Sequence, residues 1–112
     1  MYEYKAKIID VYDGDTFTFF VDLGFEVWVK SKLRLYQVDT PEMRGPEKVE
    51  GKIVRDYVRE KILDKTVTIK VHKKGKYGRY VAQVFYLDED TNLEFDLSED
   101  LIAKGMTKRV IY

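Results

Sequence analysis

The stretch between residues 13 and 41 constrains this chain most, because its residues alternate between apolar and polar and acidic turns break the alternation. Phe17, Phe19 and Val21 alternate with Thr16, Thr18 and Asp22. In the next run, Phe25, Val27, Val29, Leu33 and Leu35 fall on one side, and Glu26, Lys30, Lys32 and Arg34 on the other. A period of two puts one face of a strand on a core and leaves the other in water. The first break is Asp13-Gly14-Asp15, where glycine permits backbone angles closed to other residues. The second is Asp39-Thr40-Pro41, because proline brings no donor to a ladder. With Ile8, Ile9 and Val11 upstream, residues 5–22 read as two short strands or one bent strand.

The period then changes. Val49, Ile53, Val54, Tyr57, Val58 and Ile62 recur at three and four residues, which predicts an amphipathic helix over 47–63 facing the core on those positions. Thr66 to Val71 is rich in β-branched residues and predicts a strand. Lys73 to Gly78 reads as a basic turn, Arg79 to Leu87 as another strand, and Asp88 to Asn92 as a polar hairpin turn. Ser98 is expected to cap a short helix with Leu101 and Ile102 inward and Gly105 closing it. The pattern supports an α+β fold with a mostly antiparallel sheet, and the helix before the last pair of strands suggests a small closed OB-type barrel. At 112 residues, one domain spanning 1–112 is the expectation.

Composition narrows the chemistry. With no cysteine, disulfides and thiolate metal sites are excluded, so a metal must be held by oxygen or by His72, the only histidine. The 20 basic and 20 acidic residues cancel, which argues against coating nucleic acid by bulk charge and allows a local basic groove beside an acidic site. No apolar run reaches the length of a membrane span, and residues 1–5 carry no signal-peptide core, so no membrane partner is expected. The location is left open between the cell interior and a mature secreted fragment.

Asp13, Asp15, Asp39 and Glu42 all stand at chain breaks. Turn aspartates are ordinarily structural; the combination is what points to chemistry. A hard cation such as calcium takes six to eight oxygen ligands from carboxylates, backbone carbonyls and water. Asp15 and Asp39 could bring charge, the Thr40 carbonyl a neutral ligand, and water the rest. Such a site stays open to a phosphate oxygen, and Glu42 could hold a nearby water and draw off its proton. Arg34 and Arg79 read either as solvated arginines or as a pair clamping one phosphate, for which the planar guanidinium fork is suited. His72 reads as a surface or partly buried strand residue. Trp28, Tyr36, Tyr77 and Tyr80 could offer a stacking surface for single strands; strand aromatics are more often core, and Trp28 in particular reads as core. Lys73, Lys74, Lys76 and Arg79 form either a phosphate funnel or a solvated turn.

Asp13-Gly14-Asp15-Thr16, Arg34-Leu35-Tyr36-Gln37-Val38-Asp39-Thr40-Pro41-Glu42 and Lys76-Tyr77-Gly78-Arg79 together resemble the three signatures of the thermonuclease (staphylococcal nuclease-like) family, in that order and with the helix between the second and third. The resemblance runs from Asp10 to about Val110. It implies a five-stranded OB-fold Greek-key barrel with packed helices, and calcium-dependent hydrolysis of DNA and RNA, single strands preferred, leaving 3′-phosphate ends. It implies Asp15 and Asp39 as metal carboxylates, the Thr40 carbonyl as a further ligand and Asp13 in the outer metal shell. It implies Glu42 as general base, Arg34 and Arg79 on the scissile phosphate, and Lys76 and Tyr77 on a terminal phosphate. Gly75 replaces the family's usual acidic residue before the Lys-Tyr-Gly-Arg run, and Ile111 stands where an aromatic is usual. A monomer is expected. The competing reading is a nucleic-acid-binding module on the same fold, which would have no use for the whole carboxylate and arginine set; a third, an OB-fold protein with coincidental acidic turns, leaves the spacing unexplained.

Overall fold

The computed structural model describes residues 2–75 and 78–111; Lys76 and Tyr77, the expected terminal-phosphate contacts, lie outside the described residues. The strands are β1 (Tyr2–Asp13), β2 (Thr16–Asp22), β3 (Trp28–Leu35), β4 (Val38–Asp39), β5 (Thr66–Lys74), β6 (Tyr80–Leu87), β7 (Glu94–Asp96) and β8 (Lys108–Arg109). The helices are α1 (Lys48–Ile62), preceded by a 3-10 turn at Gly45–Glu47, and α2 (Leu97–Ala103). The main sheet runs β3-β2-β1-β5-β6-β7, and a further β3–β6 pairing closes its first five strands into a barrel. The closing pair is parallel and short, matching Leu33, Arg34 and Leu35 to Tyr80, Val81 and Ala82. Every other pairing in the barrel is antiparallel. This is the five-stranded OB barrel with two helices.

The alternation in β2 and β3 builds the barrel wall. Phe17, Leu33 and Leu35 are almost fully enclosed with Ile8, Ile69 and Val84; each such side chain contributes about 1.5–3 kcal/mol by leaving water. Register shifts in β1 between Ile8 and Asp10 and between Val11 and Asp13 supply the extra twist that a closing strand needs. Helix α1 seats Gly51, Val54, Val58 and Ile62 against the barrel, and α2 seats Leu97 and Leu101.

Several local expectations are corrected. Phe25 and Val27 lie in the turn before β3, and Phe25 is fully exposed with φ of 53°; the alternation runs through a turn that sends its side chains into solvent. Trp28 is not core. It is 54% exposed at the start of β3 and stacks on Phe20, both being on the outward side of the pleat. Val49 and Ile53 are exposed, because Gly51 takes the inward position on that turn of α1. Ser98 does not cap α2: Asp96 does, its carboxylate accepting from the Ser98 N–H at 2.9 Å. The Ser98 hydroxyl instead donates to the Tyr36 carbonyl at 2.8 Å, tying α2 to the chain just before β4. Strand β5 also extends through Lys74 rather than stopping at Val71.

Candidate functional site

Asp15 sits at the start of the β1–β2 hairpin, pinned from three sides. Its backbone N–H donates to the Asp13 carboxylate at 3.1 Å. Its carbonyl accepts from the Leu35 N–H at 2.8 Å. Its carboxylate accepts from the Thr40 N–H at 3.2 Å and from the Thr16 hydroxyl at 3.3 Å. The residue is only 6% exposed. Burial raises its carboxyl pKa most, and the Asp13 carboxyl raises it further by hydrogen bonding and charge. The Thr40 N–H and the Arg34 guanidinium pull it back only in part, leaving it at about 7.

Strand register places Arg34 beside it, opposite Thr16 on β2. Arg34 Nη2 lies 4.0 Å from Asp15 Oδ2 and 3.5 Å from Asp39 Oδ1, so a single guanidinium spans both carboxylates. Arg34 Nε is buried and has no hydrogen-bond partner, as is Thr40 Oγ1. A buried guanidinium N–H left unpaired is costly; it is Nη2, not Nε, that lies beside the two carboxylates. Asp39 itself is exposed, but its backbone is fixed: the Thr107 hydroxyl accepts from the Asp39 N–H at 3.1 Å and donates to the Asp39 carbonyl at 2.9 Å. Pairing of β4 with β8 and the Val110 N–H bond to the Gln37 carbonyl complete that clamp.

Glu42 arrives by a different device. Its backbone N–H donates to the Glu47 carboxylate at 2.9 Å, and its side chain is exposed with no hydrogen-bond or ion-pair partner among the described residues. The Pro41–Glu42 backbone lies directly on α1 at Gly51, where a Cβ would stand 2.2 Å from the Glu42 carbonyl oxygen. Gly14 makes a matching recess on the other side: a Cβ there would stand 2.6 Å from Val54 and 2.8 Å from Thr40 Oγ1. Two glycines thus let the acidic turn, the Thr40–Glu42 segment and α1 close on one another.

Arg79 precedes β6 and lines a groove with Asp10, Tyr12, Asp13, Thr16, Thr18 and Lys32. No hydrogen bond or ion pair among the described residues joins it to Asp15, Asp39 or Arg34. The structure therefore brings together Asp13, Asp15, Arg34, Asp39 and Thr40, sets Glu42 at their edge, and places Arg79 on the groove that leads to them. His72 is half-buried, stacks on Tyr36 with ring centres 3.9 Å apart and bonds Gln83 at 2.8 Å; Tyr80 packs edge-on against Phe19.

Among the described residues, no three His, Asp or Glu side chains converge to hold a metal. The expected calcium set is smaller, with two carboxylates and one carbonyl, and this donor set fits it. All three are hard oxygen donors, and a carboxylate buried at the cost Asp15 bears favours a cation beside it. Sequence reasoning missed Gly51 and Thr107. Gly51 left a signal, since glycine inside a helix is disfavoured and usually marks close packing. Thr107 left none.

Comparison with known proteins identifies the family. Residues 32–112 match the family described as staphylococcal nuclease homologue, and the chain belongs to it. An uncharacterized protein of Methanocaldococcus jannaschii is 29% identical over 128 aligned residues, covering 94% of this chain and 58% of its own length. The chain thus spans little more than half of that relative. Family membership points to nuclease or nucleic-acid-binding function. No helix among the described residues is long and apolar enough to cross a membrane.

Proposed function

We propose that this member of the staphylococcal nuclease homologue family is a calcium-dependent nuclease that hydrolyses phosphodiester bonds of single-stranded DNA and RNA and leaves 3′-phosphate ends. The observation that supports this most is Arg34, whose half-exposed guanidinium lies beside both Asp15 and Asp39. A guanidinium held beside the carboxylates that would take the cation can also meet a phosphate drawn to that cation.

In this reading Asp15, Asp39 and the Thr40 carbonyl hold calcium, with Asp13 in its outer shell. Bound there, calcium would supply Lewis-acid polarisation of the scissile phosphate. Arg34 and Arg79 grip the phosphate from two sides and neutralise the charge that builds on phosphorus. Glu42 holds the attacking water and takes its proton as the new P–O bond forms. The P–O5′ bond breaks, leaving a 3′-phosphate on one fragment and, after protonation from solvent, a 5′-hydroxyl on the other. Lys76 and Tyr77 take a terminal phosphate. The exposure of Glu42 is in keeping with a group that meets a water brought in with substrate. Residues 1–112 form one domain, and it acts as a monomer.

The test is digestion of single-stranded DNA and RNA with added calcium or with a chelator, followed by end-group analysis. Calcium-dependent cutting with 3′-phosphate ends is expected. Cutting that persists with chelator overturns the calcium assignment. Binding without cutting under any divalent ion selects the binding-module reading instead.

A further inference from the structure

The outer face of β3 carries a regular cationic row that the catalytic set does not use beyond its first member. Arg34, Lys32 and Lys30 occupy alternate positions and therefore point to the same side of the sheet. Their partners on β2 are Thr16, Thr18 and Phe20. Two residues of strand advance about 6.7 Å, close to the phosphate-to-phosphate step of an extended single strand. The next position in the row is Trp28, which lies over Phe20 with ring centres 5.0 Å apart and an interplanar angle of 13°. Lys30 and Lys32 are exposed, and neither has a carboxylate partner among the described residues. Lys30, Lys32 and Arg79 line one continuous groove with Thr18.

We propose that single-stranded nucleic acid runs along this face from Arg34 to Trp28, with phosphates on Lys32 and Lys30 and a base stacked on the Phe20–Trp28 pair. The proposal rests on reading the Arg34 corner as a phosphodiester site, and it names the path by which the strand leaves it. The path is about 20 Å long, roughly six residues of strand, which accommodates about three or four nucleotides, in keeping with the short sites of single OB folds. It also accounts for how a chain of zero net charge grips a polyanion: three basic side chains without a carboxylate among them stand in line on one face of β3. Stacking on an aromatic is indifferent to base identity, so the track predicts length dependence without sequence preference.

Trp28 is the only tryptophan, so its emission reports on the track directly. Oligothymidylates of about two to eight nucleotides, spanning the length of the track, are titrated onto the whole chain in chelator, which keeps them uncut. The expected result is quenching by strands of about four or more nucleotides and none by the dinucleotide. The Lys30→Ala/Lys32→Ala variant, shown folded by circular dichroism, should bind an octamer at least about tenfold more weakly, with a salt dependence shallower by about 0.7 per lysine removed. Strands that bind without changing the emission, with affinity and salt slope unaltered in the double variant, overturn the track. So does emission changed only by acidic proteins and by no nucleic acid. The nuclease reading stands apart from these outcomes, because calcium-dependent digestion tests it: cutting with an unused track sinks the track alone, and quenching without cutting sinks the nuclease alone.

Discussion

The Asp15 corner and the Glu42 segment meet at one site but are held in opposite ways. Asp15 is enclosed, and four hydrogen bonds through its N–H, carbonyl and carboxylate fix it. Glu42 is exposed, and what places it is the absence of a side chain at Gly51 on the facing helix. The first arrangement holds charge at a desolvation cost that a cation relieves. The second leaves a carboxylate hydrated and free to meet a water. The proposed mechanism needs both a bound cation and a proton acceptor, and that division serves it, since a buried carboxylate favours a cation beside it while a general base must reach the water whose proton it takes.

Substitutions can break the comparison, and the largest effect belongs to the exposed side. Glu42→Gln should lower turnover by up to about 10,000-fold, with melting temperature and calcium affinity unchanged. Equal turnover in steady-state assays means that Glu42 neither takes nor positions a proton. Arg34→Lys keeps the charge and loses the fork, and a fall of about 100- to 1000-fold in kcat is expected if it acts on the transition state. Gly51→Ala presses a methyl into the Glu42 carbonyl and should cost about 1–3 kcal/mol by thermal melting, together with activity. A melting temperature unchanged by the methyl shows that the segment can retreat from α1.

Asp15→Asn sharpens the other side. A carboxyl whose pKa rises from 3.8 to about 7 on folding binds more protons folded than unfolded between those values. Metal-free stability therefore falls as pH rises from about 4 to 7 and is level above. A carboxamide cannot ionise, so the variant should lose this decline and gain up to about 4 kcal/mol just above neutral pH in denaturant titrations, while losing calcium binding. A decline as steep as in the parent places its source elsewhere. The smallest effect is expected from Thr107→Val, which removes two hydrogen bonds to the Asp39 backbone and should cost about 1–2 kcal/mol in the same titrations. An unchanged midpoint there shows that the β4–β8 pairing holds Asp39 without the hydroxyl.

The barrel strands are legible in the sequence because period-two alternation is a local property of β2 and β3, and the turn aspartates stand out because glycine and proline bracket them. Which side of the alternation survives a turn is not legible. Phe25 and Val27 continue the pattern in sequence, yet the chain reverses at Gly24–Glu26 through positive φ angles, so they face water. Size alone makes Trp28 read as core, whereas its place opposite Asp22 puts it on the outer face. The carboxylates and Arg34 are visible as candidates, but their spacing gives no hint that one guanidinium spans both. Thr107 lies 68 residues from Asp39, and no local pattern announces such a pair. Lys76 and Tyr77, outside the described residues, stay as expectations.

The closing pair of the barrel has a kinetic consequence. Arg34 belongs to the three-residue parallel ladder that joins β3 to β6, strands separated in the chain by the whole of α1 and β5. Like the β1–β5 ladder, it joins residues far apart in sequence, which is entropically expensive, and with only three pairs it has the least to offset that cost. An unclosed sheet can carry native hairpins and still lack the guanidinium's final position. On the proposed reading, a chain in synthesis or refolding would gain its activity only once this seam is made.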